Sequence, residues 1–339
     1  MSDTVNRQIL LAARPEGAIK TSDFRHGEGP IPQPGENEVL VRNLYLSLDP
    51  AMRGWMTDRP SYMPPVALDA PMRGATISRV VASKDPAFAP GDLVRALGGW
   101  QDYALVKKED RLMKIPEGLP VPLTKHLGVL GITGLTAYFG LLDLGTPQEG
   151  ETVVVSTAAG AVGSIVGQIA KIKGCRVVGL TGSDEKCAWI RDELGYDVAI
   201  NYKTENIENA LAAACPDGID VYFDNVGGEI LNACLGRINF KGRVVLCGAI
   251  TQYNATDMPP GPSNYLNLLI RSARMEGFIV TNYMDRAMEG GMQLAQWMGE
   301  GKLKSREDVV DGLENAPEAI LRLFDGSNQG KLIVRIADE

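Results

Sequence analysis

The stretch that most constrains this 339-residue chain runs from Thr152 to Gly174. Five residues of strand character, Thr152-Val153-Val154-Val155-Ser156, lead into Ala158-Ala159-Gly160-Ala161-Val162-Gly163. Beyond them Val162, Ile165, Val166, Ile169 and Ala170 recur at spacings of three and four, and Gly174 supplies a left-handed stop. In such a strand–turn–helix unit, small turn residues let backbone N–H groups approach a pyrophosphate, with the positive end of the helix behind them. The turn is a variant of G-x-G-x-x-G with Ala158 in the first position. A second strand at 176–180 ends about 20 residues on, the spacing of a βαβ dinucleotide site. Tight helix-on-strand packing also selects glycine, so the turn carries weight only in this setting.

The tip of the second strand selects the coenzyme. An NAD site places an acid there for the ribose 2′-hydroxyl, whereas this chain reads Leu180-Thr181-Gly182-Ser183-Asp184-Glu185-Lys186. Thr181 stands in the acid's place, and Lys186 can pair with a 2′-phosphate, which points to NADP(H). On the other reading Ser183 caps the next helix, the two acids favour its first turn, and Lys186 is a surface residue.

The remaining pattern is α/β in two parts. From Gly128 onward apolar strands alternate with helical segments, as in a doubly wound parallel sheet. Its strands are expected at 152–156, 176–180, 198–200, 221–224, 244–247 and 278–280. Residues 1–127 read instead as β-rich. Alternating runs such as Glu38-Val39-Leu40-Val41-Arg42 lie between turn clusters such as Pro30-Ile31-Pro32-Gln33-Pro34-Gly35. A compact barrel is expected there, completed by about 305–339, where Lys331-Leu332-Ile333-Val334-Arg335-Ile336 alternates again. The dinucleotide part then spans 128–304. Met258-Pro259-Pro260-Gly261-Pro262 admits neither a helix interior nor a central strand, and is expected to be a loop that covers the substrate. Leu127 to Leu142 is uncharged but shorter than the roughly 20 residues a bilayer needs; it reads as buried helix where the two parts meet.

Composition closes other routes. Lys plus Arg total 34 against 42 acids, a net charge of −8, which argues against nucleic-acid and membrane partners. The opening Met1-Ser2-Asp3-Thr4-Val5-Asn6-Arg7 has an early acid and no apolar core, so no export signal and a cytoplasmic location are expected. Cys175, Cys187, Cys215, Cys234 and Cys247 form no CxxC pair and are expected to be reduced thiols. The only histidines are His26 and His126, so no metal site is expected.

Several motifs recur in a specific order. They are Leu46-Ser47-Leu48-Asp49-Pro50 with Met52-Arg53-Gly54, Gly98-Gly99-Trp100-Gln101-Asp102-Tyr103, and the 158–163 turn. Asp224-Asn225-Val226-Gly227-Gly228, Cys247-Gly248 with Tyr253-Asn254, Gly277-Phe278-Ile279-Val280, and Asn328 before Gly330-Lys331 follow. Together they resemble the zinc-independent medium-chain dehydrogenase/reductases, in the branch that holds prostaglandin, plant alkenal and bacterial curcumin reductases. The resemblance covers nearly the whole chain. It implies a Rossmann-type sheet domain with a GroES-like barrel domain, NADP(H) as coenzyme, and a homodimer joined through the coenzyme-domain sheets. Coenzyme contacts are implied at Gly160, Ala161, Val162 and Gly163, and a 2′-phosphate clamp from Lys186 and Tyr202. Asn225, Cys247, Gly248, Phe278, Ile279 and Val280 would border the nicotinamide, Tyr253 its ribose, and Asn328 would reach the coenzyme from the C-terminal segment. Singly each has a plainer reading: Tyr202 as a surface tyrosine, 278–280 as sheet core, Asn225 and Asn328 as turn residues beside glycine. The family's tyrosine between Pro50 and Met52 is Ala51 here, and Ile132-Thr133-Gly134 replaces its Met-Pro-Gly, so a wider or less polar substrate wall is expected at Ala51.

The chemistry implied is NADPH-dependent 1,4-reduction of an α,β-unsaturated ketone or aldehyde, a small-molecule enone or enal. Hydride goes to the β-carbon, charge develops as an enolate, and a proton arrives at the α-carbon. Tyr253 lies six residues past the strand end at Cys247, where ligands gather in open α/β sheets. It is the candidate proton donor, since a phenol with an ordinary pKa of about 10 is protonated at neutral pH; otherwise it seals the pocket. Tyr62, in Ser61-Tyr62-Met63-Pro64-Pro65, resembles a second tyrosine implicated in the bacterial branch, and is otherwise a rigid loop residue. Trp100 is expected to form an apolar substrate wall, or else barrel core. The competing functions are an NADPH:quinone oxidoreductase and a coenzyme-binding structural or regulatory protein without turnover.

Overall fold

The structure, a computed structural model, describes residues 5–116, 118 and 121–339; Met1, Ser2, Asp3 and Thr4 of the opening stretch lie outside them. The chain divides into two compact units, 1–127 with 307–339, and 128–306.

In the first unit β1 (Val5–Leu11) and β2 (Phe24–Pro30) pair as an antiparallel hairpin. The larger sheet is organised on β3 (Val39–Ser47), whose residues are all buried except Arg42. β3 pairs antiparallel with β4 (Thr76–Ser83), which pairs with β5 (Leu93–Ala96). Breaks in register at Leu40/Val41 and Asn43/Tyr45 add twist and curl the strand. β6 (Tyr103–Val106) lies along residues 39–42 of β3, and β7 (Met113–Lys114) closes on β5. One core lies beneath, built from Ile9, Leu11, Leu46, Leu48, Met52, Met56, Met72 and Trp100.

The second unit is a parallel sheet. Among the described residues it contains β8 (Thr152–Ser156), β9 (Arg176–Thr181), β10 (Val198–Asn201), β11 (Ile219–Asp224), β12 (Ile238–Leu246) and β13 (Arg274–Gly277), in the spatial order 10-9-8-11-12-13. Helices cover both faces, so Val153, Val154, Val155, Val177, Val178, Val221, Tyr222 and Phe223 are wholly buried. Burying each such side chain is worth about 1.5–3 kcal/mol. The strand order reverses between β8 and β11, which opens a crevice at their carboxyl ends.

Two expectations for this sheet need correction. β12 starts at Ile238 rather than 244, because Lys241 takes φ +59° and carries the strand through an irregular step that reads as a turn. The last strand is Arg274–Gly277, not 278–280. It pairs with Arg243 to Leu246 and is an edge strand, so its exposed face is charged rather than apolar. Phe278 leaves the sheet and packs its ring where a side chain on Gly140 would stand.

The uncharged stretch forms the helix Ile132–Phe139, mostly buried, which continues as a π-helical turn at Gly140–Gly145. Among the described residues no helix is long and apolar enough to cross a membrane. The chain then returns to the first unit, where β14 (Glu307–Asp311) pairs with β15 (Lys331–Arg335), and β15 lies antiparallel along residues 45–47 of β3.

Candidate functional site

The elbow after β8 is built on close approach. Thr157 turns the chain at φ +50°, a left-handed conformation that costs a side-chain-bearing residue roughly 1–2 kcal/mol. Thr157 O accepts from Gly160 N at 2.8 Å, and Gly160 is the N-cap of the helix Ala161–Ile172. A Cβ on Gly163 would stand 2.3 Å from Thr157 O, so the helix can pass here only without a side chain. Ala158 is tolerated in the first glycine's place because β9 yields: a Cβ on Gly179 would meet Ala158 Cβ at 2.8 Å. Tyr196 Oη donates to Gly163 O at 2.6 Å and braces the turn from behind.

At the tip of β9, Ser183 is the cap of the helix Asp184–Asp192, its Oγ accepting from Lys186 N at 3.3 Å. Asp184 turns away to accept from Asn201 Nδ2 at 2.6 Å. Gly182 leaves a hollow, since a Cβ there would stand 2.9 Å from Tyr202 Oη and 3.2 Å from Lys203 Cε. Burial holds the Tyr202 phenol above its ordinary range, so it keeps its proton as a donor. A hollow bordered by a phenol and an ammonium stem, at a strand tip with Thr181 in place of an acid, fits a 2′-phosphate and hence NADP(H). Motif reasoning misses Lys203; the available signal is its place directly after Tyr202, where β10 delivers it beside Gly182.

The crevice between β8, β11 and β12 is clasped by one carboxylate. Asp224 has no exposed surface, and its Oδ1 accepts from Tyr222 Oη at 2.8 Å and from Val226 N and Gly227 N at 2.9 Å each. Burial still raises its pKa. The turn so fixed ties Asn225 to β8: Asn225 N donates to Ser156 Oγ at 2.8 Å and Nδ2 to Ser156 O at 2.7 Å. Asp224 O accepts from Cys247 N at 2.9 Å and Gly248 N at 3.1 Å, which draws in the tip of β12. Asn225, Cys247 and Gly248 therefore border one crevice. Tyr253 follows the 3₁₀ turn Ile250–Gln252. Its Oη accepts from Ala249 N at 3.3 Å and lies 3.1 Å from where a Cβ on Gly248 would stand. The Cys247 thiol is pushed up to about 12, first by burial and then by Asp224.

Phe278 and Ile279 follow β13, and Val280 opens a 3₁₀ stretch to Arg286. Met258, in the proline-rich loop, is 94% exposed. In the barrel unit Tyr62 is half exposed, and its Oη accepts from Trp55 Nε1 at 3.2 Å. Asn328 Nδ2 donates to Gly330 O at 3.0 Å, a local turn contact. Trp100 does not form a wall. It is wholly buried and stacks on Phe24 with centroids 5.2 Å apart, so no face of the ring is left for a substrate. Among the described residues no group of three or more His, Cys, Asp or Glu side chains is placed to hold a metal ion.

Known proteins resemble this chain over nearly its whole length. Residues 7–115 match a family described as the N-terminal domain of oxidoreductase, and 161–297 one described as zinc-binding dehydrogenase. The NADPH-dependent curcumin reductase of Escherichia coli (strain K12) is 46% identical over 98% of each chain. The NADP(+)-dependent 2-alkenal reductase of Nicotiana tabacum is 41% identical over 98% of each. CurA in complex with NADPH from Vibrio vulnificus has a TM-score of 0.93 at 45% identity, covering 98% of this chain and 100% of that one. The quinone oxidoreductase of Escherichia coli, with a TM-score of 0.79 at 20% identity, shares the fold alone.

Proposed function

We infer the activity from the family: the chain belongs to the medium-chain dehydrogenase/reductases, in their zinc-independent double-bond reductase branch. It is an oxidoreductase that uses NADPH to reduce the carbon–carbon double bond of α,β-unsaturated ketones and aldehydes. The observation that carries this is the Tyr253 phenol at the tip of β12, beside the crevice of Asn225, Cys247 and Gly248.

When bound, NADPH supplies the hydride for the β-carbon of the alkene. The N–H groups at Gly160, Ala161, Val162 and Gly163 hold the pyrophosphate, and Lys186, Tyr202 and Lys203 take the 2′-phosphate. Asn225, the backbone at Cys247 and Gly248, and Phe278, Ile279 and Val280 orient the nicotinamide. As charge develops on the substrate's carbonyl oxygen, Tyr253 Oη stabilises it by hydrogen bonding and supplies the proton destined for the α-carbon. The Ala249 N–H that donates to Tyr253 Oη favours the charged oxygen as that proton departs. Tyr62 is the second candidate donor.

We further propose a cytoplasmic homodimer. Beside the edge strand β13, Tyr265, Leu266, Leu269 and Ile270 are between 55% and 77% exposed, an apolar face that suits a second copy extending the sheet. The five cysteines are free thiols, which suits a reducing compartment.

The test is NADPH oxidation with curcumin and aliphatic enones assayed beside a set of quinones. Enone turnover well above quinone turnover is expected. Tight NADPH binding without reduction of any conjugated enone would reject the assignment.

A further inference from the structure

The parallel-sheet unit buries one carboxylate beside its crevice. Asp224 ends β11 with no exposed surface. Every donor that reaches it meets the same oxygen. Tyr222 Oη, Val226 N and Gly227 N donate to Oδ1 at 2.8 to 2.9 Å, and Ser156 Oγ lies 3.4 Å from that atom. Oδ2 is buried and has no hydrogen-bond partner among the described residues. Among those residues no Lys, Arg or His pairs with either oxygen. Three donors on Oδ1 favour the ionised form, so the site holds a negative charge without a counter-ion.

Neighbouring groups respond to that charge. Tyr222, and Cys234 on the helix Gly228–Gly236, are wholly buried; burial first and Asp224 second raise both well above their ordinary ranges. Asp224 acts in the same sense on the Cys247 thiol, whose backbone N–H bonds to Asp224 O. All three groups therefore keep their protons at neutral pH, and none supplies a positive charge. As a clasp for the turn alone, an amide would serve, since the oxygen of asparagine can accept from the same donors. An ionised carboxylate is far more costly to bury unless a cation joins it.

We propose that Asp224 is the fixed counter-ion of the oxidised nicotinamide: its carboxylate stabilises the positive charge that the ring acquires as hydride leaves, and tilts the bound coenzyme towards NADP⁺. The proposal rests on the reading that seats the nicotinamide beside Asn225, Cys247 and Gly248. The ring of NADPH is neutral. Transfer of H⁻, with its electron pair, to the β-carbon leaves one positive charge on the ring and one negative charge on the substrate. Tyr253 answers the second at the carbonyl oxygen, and Asp224 answers the first. In a water-poor interior a unit charge acts over several ångström, so contact with the ring is not required.

The test compares Kd values for NADP⁺ and NADPH by calorimetry. Asp224→Asn keeps an acceptor for the donors on Oδ1 and removes the charge. The ratio of Kd for NADP⁺ to Kd for NADPH is expected to rise roughly five- to fifty-fold, the scale of a unit charge acting over several ångström at an interior dielectric of about 20. These affinities are read without turnover, so they stand whether or not enones are reduced. Tyr222→Phe keeps the carboxylate and removes one donor, which leaves its charge less shared. There the ratio is expected to move the other way by about two- to five-fold, and this variant carries the test if Asp224→Asn does not fold. Equal weakening of both coenzymes in Asp224→Asn overturns the counter-ion and leaves the carboxylate a clasp; so does an unmoved ratio in Tyr222→Phe where the Asn variant is not folded. If a folded Asp224→Asn changes neither affinity, the nicotinamide seat itself falls, and the counter-ion with it.

Discussion

A Cβ on Gly182 would stand 2.9 Å from Tyr202 Oη, so the tips of two neighbouring strands enclose a hollow that only glycine leaves open. Gly182→Ala is expected to weaken NADP⁺ binding about ten-fold or more while changing NAD⁺ binding little. Lys203→Ala should act in the same sense by roughly five- to thirty-fold, the worth of one charge-assisted contact to phosphate. Calorimetry with both coenzymes checks this; equal losses for NADP⁺ and NAD⁺ would place the effect outside the 2′-phosphate.

Tyr253 receives a backbone N–H on its oxygen and is proposed to hold the proton. Tyr253→Phe keeps the ring and removes that proton, so kcat is expected to fall about 10²-fold or more, the size of a general-acid contribution. NADPH affinity should stay within a few-fold. An unchanged kcat would pass the role to Tyr62.

The parallel sheet was readable because β8, β9 and β11 are apolar on both faces and are bounded by glycine and turn residues. β13 was not: its charged residues, Arg274 and Glu276, do not look like sheet, while the apolar run after it does. Periodicity cannot tell a buried strand from a Phe278 that leaves the sheet to pack over Gly140. Motifs likewise located the crevice but not its supports. Lys203 stands beside Gly182 only because two neighbouring strands bring their tips together, which no local motif records. Trp100 shows the converse: its motif drew attention to a side chain that packs wholly inside the barrel core.

An enzyme that handles enones meets soft electrophiles that alkylate thiolates. Burial pushes the Cys175 and Cys215 thiols up to about 11 and Cys247 up to about 12, and raises Cys187 and Cys234 as well. At pH 8 a thiol of pKa about 11 is only about one-thousandth thiolate, against roughly a quarter at the ordinary value of about 8.5. The native protein is expected to show no fast-reacting thiol in a disulfide-exchange assay, and all of its thiols in denaturant. Mass spectrometry after enone treatment without coenzyme should find no adduct; early labelling at Cys247 would contradict this.

His126 is buried in the barrel unit, and burial first and Arg95 second hold its imidazole below the ordinary 6.5. The unfolded chain therefore takes up this proton before the folded one. The associated stability is present above pH 6.5 and is lost as pH falls from there through the lower folded value. The loss is at most ~1.4 kcal/mol per pH unit, the slope of one proton. Thermal melts of His126→Gln should show a shallower decline below pH 6.5 than the wild type; parallel curves would remove His126 as the cause.

If the face beside β13 joins two copies, Leu269→Glu, at a position 77% exposed in the single chain, should convert a dimer to a monomer in light scattering while each unit stays folded. A wild-type monomer, or an unaffected variant dimer, would rule out this interface.

The most direct measurement follows the hydride itself. With NADPH carrying deuterium at the transferable position and a simple enone as substrate, NMR should show a saturated ketone with one deuterium on the former β-carbon and a solvent proton on the α-carbon. An allylic alcohol with deuterium on the carbinol carbon, or an unreduced enone in the presence of bound coenzyme, would contradict the account.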